Sequence, residues 1–494
     1  MRIKIYLWVL LCAVLSACQL GSDPATPTPL PQETAQFEVV QGSATFEPTM
    51  TPLATVSPTI TPTPTLLPLP QVPLPGLHIH NFKSPEQVSL GEGSGASWTR
   101  FDDFNWDAIE PVRIEPPEYH WDAVDEAALL AAATGGYEII GIVLFTPPWA
   151  QKYPGIACGP IAEGEFERFA QFMSELVSRY SQPPYNVSYW EIGNEPDVDY
   201  KLVDPHSGFG CWGEEDDLYF GGGYYGEMLK VVYPAIKAAD PEAQVLVGGL
   251  LLDCDPVNPP ENLDCKASRF LEGILEVGGG DYFDGVSFHA YDYYFGDGIY
   301  GNTNWNSYSN TTGPVVTVKA KYLQSLLARF GQPSKYLLNT EVAVLCGRDG
   351  REPGCLTDDF NQTKSNYVAS ANVVAAARKL VANVWYSLTG WRASGLVQGA
   401  SLQLLPAYDA FRFNADQLDG AQYIRDLEQY DGLVGYEFER DGDILWVLWS
   451  LDGGDQVIDL PSEPSAVYNV YGSGQPVSNN LLITISPIYV LWDQ

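Results

Sequence analysis

The chain has 494 residues, 45% of them hydrophobic, and a formal charge of -36 from 26 Lys and Arg against 62 Asp and Glu. That length exceeds one small domain and is enough to bury a large core. The charge argues against nucleic acid and against electrostatic adhesion to anionic lipid, and suits an exported protein with a neutral partner.

The first predicted element is a targeting device. Arg2 and Lys4 precede the apolar run Ile5–Val14, which is too short to span a bilayer and right for a signal h-region. Leu15-Ser16-Ala17-Cys18 resembles a bacterial lipobox, so residues 1–18 read as a lipoprotein signal with Cys18 the lipidated residue. Residues 19–75 are rich in Pro and Thr and cannot form a core; they read as an extended, disordered spacer. A lipid at one end and a folded domain at the other make a tether, and place the protein outside the cell or in the cell envelope.

From Gly76 the texture changes to apolar runs alternating with helical stretches. Strands are predicted over 77–81, 97–101, 138–145, 185–189, 245–249, 283–289, 335–341 and 382–386. Helices are predicted over 121–133, 165–180, 224–239, 315–330 and 360–380, with a kink at Pro234. Eight apolar strands with helices between most of them predict an α/β fold in which a parallel sheet closes into a (β/α)8 TIM barrel, here residues 76–430. After Asp431 short strands joined by Gly, Asp and Asn turns predict a small antiparallel β-sandwich over 431–494.

Beyond Cys12 and Cys18 there are six cysteines: Cys158, Cys211, Cys254, Cys265, Cys346 and Cys355. An even number with no Cys-x-x-Cys favours disulfides in an oxidising compartment over a zinc site. The close pairs suggest 254 with 265 and 346 with 355, leaving 158 with 211, although connectivity stays open at this level. His78 and His80 share a strand face, but with five histidines in all no metal and no cofactor is expected.

Functional side chains of such a barrel gather at the C-terminal ends of its strands. Those ends carry His80, Arg100, Trp149, Asn194 with Glu195, His289 with Tyr291, Glu341 and Trp385. Two glutamates on strands four and seven, projecting into one mouth beside an arginine, are expensive to bury for structure alone. As a pair they suit proton donation to a leaving group and attack on the carbon it leaves. By contrast Asp197, Asp199 and Asp292 read as solvated loop residues.

Trp190-Glu191-Ile192-Gly193-Asn194-Glu195-Pro196 and Asn339-Thr340-Glu341 resemble the acid/base and nucleophile motifs of clan A retaining glycoside hydrolases. Within the clan, families 39 and 5 are nearest, through Ile109-Glu110-Pro111, the stretch 119–125, Thr146-Pro147-Pro148-Trp149-Ala150 and the helix ending at Asp240-Pro241. The resemblance implies Glu195 as general acid/base, Glu341 as nucleophile and Arg100 as the cation beside it. It also implies Asn194 on a sugar 2-hydroxyl, Tyr291 on Glu341, His289 lining the pocket, and Trp149 and Trp385 stacking on sugar rings.

The implied substrate is a β-linked carbohydrate, and the implied reaction is hydrolysis by double displacement. A transglycosylase with the same residues and a non-catalytic surface glycan-binding barrel are the rival readings. Long loops at 197–223, 253–266, 290–314 and 345–358 should wall the cleft, with Tyr200, Trp212, Tyr219, Tyr293, Tyr294 and Trp305 as its aromatics.

Overall fold

The computed structural model describes residues 73–451 and 454–493. The signal, Cys18 and nearly all of the spacer lie outside the described residues. Eight parallel strands form the centre: β1 (Pro75–Leu77), β2 (Trp98–Asn105), β3 (Glu138–Leu144), β4 (Tyr189–Asn194), β5 (Gln244–Leu250), β6 (Gly285–Gly296), β7 (Tyr336–Leu345) and β8 (Ala382–Trp385). Each pairs with its neighbours in order, and β1 pairs with β8 to close the barrel. The helices that follow them are α1 (Pro85–Gly93), α2 (Glu126–Thr134), α3 (Phe166–Tyr180), α4 (Gly222–Ala239), α5 (Phe270–Glu276), α6 (Val316–Arg329), α7 (Asp358–Ala377) and α8 (Pro406–Leu418). This is the (β/α)8 barrel that the alternation predicted.

The helices dock by apolar stripes. In α3, Phe166, Phe169, Phe172, Met173, Leu176, Val177 and Tyr180 are buried at three- and four-residue spacing. α4 runs through Pro234 to Ala239. Inside the barrel, Trp98, Ile140, Tyr189, Leu246, Leu338, Ala382 and Val384 form a separate apolar plug. That plug fixes the parity of each strand. Side chains an even number of residues further along β2, β4 or β8 also point inward, towards the C-terminal mouth.

Some bounds differ from prediction. β4 starts at Tyr189 and not at Tyr185, because Asn186 takes a left-handed conformation (φ 53) that interrupts extended backbone. β6 overruns the barrel rim and turns back through Ile299–Asn302 and Ser307–Tyr308 as an antiparallel extension. The C-terminal sheet opens at Gln422–Asp426, ahead of Asp431. Four more antiparallel strands complete it, and a two-stranded sheet (Gln456–Asp459 with Asn480–Ile483) faces it. Trp446, Leu448, Ile458, Leu460, Leu481, Ile483 and Val490 are the core of this sandwich. Among the described residues no helix is long and apolar enough to cross a membrane.

Among the described residues the disulfides are Cys158–Cys211, Cys254–Cys265 and Cys346–Cys355, the pairing that proximity in sequence suggested. All sit in loops at the C-terminal side of the barrel.

Candidate active site

A cavity of about 740 Å³ opens at the C-terminal mouth, lined among others by Arg100, Asn194, Glu195, Tyr291 and Glu341. Glu195 stands one residue past the end of β4, where its backbone is left-handed (φ 52). A non-glycine residue held there costs about 1–3 kcal/mol and persists only when its surroundings impose it. Here the Glu195 N–H donates to Gly249 O at 2.9 Å, and Val198 N donates to Glu195 O at 3.2 Å. The side chain is turned into the cavity as a result.

Its carboxyl is buried, with Oε1 2.7 Å from His289 Nδ1. Oε2 has no hydrogen-bond partner. Burial pushes the Glu195 pKa up to about 7, against the pull of the nearby Arg100 and Lys319 charges. His289 is pushed down to about 4, chiefly by burial, so the imidazole facing Glu195 is neutral. Its ring fits because residue 249 is glycine; a Cβ there would fall 2.3 Å from His289 Nε2.

Glu341 has a different setting. Arg100 donates through Nη1 to Glu341 Oε1, and the Tyr291 hydroxyl donates to Glu341 Oε2. Through Nη2, Arg100 also reaches Glu191 Oε1 at 2.5 Å and Asn194 Oδ1 at 3.0 Å. Burial works against the guanidinium charge, but Glu191 and Glu341 outweigh it and raise its pKa. Tyr291 is held well above its usual value, first by burial and then by Glu341, so it remains a donor. Asn194 Nδ2 donates to Gly208 O at 3.0 Å, which leaves its second hydrogen free for a ligand. One oxygen each of Glu195 and Glu341, with a nitrogen of His289, lie within 4.8 Å of one another. The two carboxyls thus face a single small volume, one buried and raised towards neutral pH and the other held against a cation.

Six predicted strand-end positions therefore converge: His80, Arg100, Asn194, Glu195, Tyr291 and Glu341. Others need correction. His289 does not line the cavity; it is fully buried beneath it, supporting Glu195. Trp149 lies off the cavity, donating from its indole to Glu110 O at 3.1 Å and packing edge-on against Trp106. Trp385 points away from the barrel axis, where its indole donates to Ser394 O at 3.0 Å and its ring meets Tyr367 of α7. With Ala382 and Val384 inward, parity turns Tyr386 into the cavity instead.

Of the six loop aromatics only Tyr293 lines the cavity; Trp305, for one, is buried with its indole on Leu252 O at 2.7 Å. Asp197, Asp199 and Asp292 are buried and not solvated. Asp197 accepts from Leu251 N and Leu252 N, both at 2.8 Å, and Asp292 accepts from Val315 N at 2.8 Å. They brace the loops after β4, β5 and β6.

Residues missed in sequence are Glu191, His78, Asp102, Phe209, Tyr386 and Trp391. Inward parity from Glu195 back to Tyr189 would have found Glu191, and from Arg100 forward would have found Asp102. His78, His80 and Asp102 offer donor atoms within 4.8 Å of one another, a grouping able to hold a divalent cation. The charge of Arg100 lowers the pKa of both histidines after burial has done so, and it opposes a cation there too.

No family model matches the chain, and no curated protein matches it. Among solved structures, it is similar to a family 39 glycoside hydrolase from the gut symbiont Bacteroides cellulosilyticus WH2 (TM-score 0.62, 18% identity, covering 86% of this chain and 81% of that one). It is also similar to the catalytic domain of the family 30 xylanase C from Talaromyces cellulolyticus (TM-score 0.57, 15% identity, 86% and 98% covered). A third is a conserved exported protein from Bacteroides fragilis (TM-score 0.56, 13% identity, 80% and 88% covered). The fold of this chain is that of these structures, two of which are named as glycoside hydrolases.

Proposed function

We propose that the protein is a retaining glycoside hydrolase that cleaves β-glycosidic bonds of oligo- or polysaccharides. The observation that carries this reading is the pair Glu195 and Glu341, whose oxygens lie within 4.8 Å in opposite electrostatic settings. A separation of about 5 Å suits direct attack and excludes an intervening water. Glu341 attacks the anomeric carbon while Glu195, through its unpartnered Oε2, gives its proton to the departing oxygen. Glu195 then takes a proton from the water that releases the sugar from Glu341. The names of the structural neighbours support glycoside hydrolysis. Three disulfides support an exported, oxidising setting, which accords with a lipid anchor at Cys18.

The direct test is proton NMR of the first sugar released: retention of anomeric configuration is expected, and inversion would sink the mechanism. The acid role has its own pH signature. Glu195 must be protonated to act, so kcat/KM should fall as pH rises through about 7. Glu195→Gln should remove that limb. It should lower kcat/KM by about 10²–10⁴-fold on glycosides with poor leaving groups, and much less on activated phenyl glycosides. An unchanged alkaline limb in the variant would exclude Glu195 as the acid.

Gly249→Ala tests the support beneath Glu195. The new methyl cannot coexist with the His289 ring, so the ring and the carboxyl it holds must shift. A misplacement on the ångström scale costs about 100-fold in rate. Steady-state kinetics alongside circular dichroism would show that loss with the fold retained.

A further inference from the structure

Past the barrel rim, β6 carries a row of aromatics on one face. Tyr291 touches Glu341, Tyr293 lines the cavity, and Phe295 follows two residues on. Tyr293 is 38% exposed and Phe295 51%. The alternate residues face the other way: Asp292 is buried against Val315, while Tyr294 packs on Phe360 of α7 and bonds Asp359. Beside this row Trp391, its ring centre 6.0 Å from that of Tyr291, lines the cavity and is 50% exposed. The Arg392 guanidinium lies 5.4 Å from the ring centres of both Tyr293 and Trp391.

The segment that carries Trp391 is held firmly for a side chain that buries little. Trp391 N donates to Ser394 Oγ at 3.0 Å, and Lys364 Nζ donates to Ala393 O at 3.0 Å. Arg392 O accepts from Cys346 N at 3.0 Å, in the loop closed by Cys346–Cys355. Contiguous aromatic surface kept rigid and open to solvent marks a binding face.

Resting on the glycosidase reading, we propose that Tyr293, Phe295 and Trp391 form a stacking platform for further rings of a neutral glycan chain leaving the cavity. The substrate is then an oligosaccharide or polysaccharide and not a simple glycoside. Continuity identifies the occupant, since a chain whose scissile ring lies at Glu341 and which leaves along β6 passes over Tyr293 and then Phe295. The net charge of -36 disfavours acidic glycans.

Phe295 lies outside the cavity, which makes it the informative variant. Wild type and Phe295→Ala would be compared on nitrophenyl monoglycosides and on β-linked xylo-, gluco- and manno-oligosaccharides of two to six units. Wild-type kcat/KM should climb with chain length. Phe295→Ala should stay within about twofold on the monoglycoside and lose about tenfold on the longest chains. Monoglycoside cleavage with no length dependence, or an equal loss on short and long substrates, would overturn the platform and leave the glycosidase standing. No hydrolysis of any probe by the wild type would overturn both.

Discussion

Replacing Glu341 with glutamine should lower kcat/KM by about 10⁴-fold or more while the protein stays folded. Glutamine has the shape of glutamate and its carbonyl can still accept from Arg100 or Tyr291, so the cavity survives. The amide cannot form the bond to the anomeric carbon. Arg100 loses one of its two carboxylate partners and keeps Glu191, which limits the structural cost. Kinetics and thermal melts on the same preparation separate the two effects. A companion variant, Glu341→Gly, leaves space for azide to attack in place of the carboxylate. Added azide should restore turnover and give a glycosyl azide of inverted configuration. A Gln variant within tenfold of wild type would mean that Glu341 is not the nucleophile.

Arg100→Met should damage both stability and activity. Arg100 is 2% exposed and bridges Glu191, Asn194 and Glu341. Removing one partner of a buried charge network leaves the others uncompensated and costs about 3–5 kcal/mol, to be read from urea or guanidinium unfolding. Rate should fall by about 10³-fold, as Glu341 loses the donor that holds it ready. Adding Glu191→Gln to Arg100→Met removes one of the two orphaned charges. That double variant should regain part of the stability and none of the activity. If it recovered both, Arg100 would have only a structural part.

The barrel was legible because eight apolar strands and the helices between them follow from side-chain periodicity, which survives in any one sequence. Asn194 and Glu195 were legible because the strand end interrupted by Pro196 displays its side chains; Glu341 was legible through the Asn339-Thr340-Glu341 motif alone, since β7 continues past it through apolar residues to Leu345. Orientation was not. In a strand a one-residue error turns every side chain to the other face, which is how Trp385 was placed where Tyr386 stands. Trp149 failed differently. It lies in a loop, and its position depends on Trp106 and Glu110, some forty residues earlier in the chain. Long-range packing of that kind leaves no local pattern. Burial of Asp197 and Asp292 was hidden for the same reason: their partners are backbone N–H groups of distant loops.

The disulfides divide the rim of the cavity into units of different independence. Cys254–Cys265 and Cys346–Cys355 each close a loop on itself, with separations of 11 and 9 residues. Cys158–Cys211 spans 53 residues and fastens the loop after β3 to the loop after β4, which brings Phe209 to the cavity wall. The first two carry their own staples, so a foreign loop could replace either while the carboxylates stay fixed on their strands, provided that a replacement for the second keeps the Cys346 N–Arg392 O bond. The third cannot be transplanted alone. Re-tooling that flank of the cleft would require both loops to be moved together.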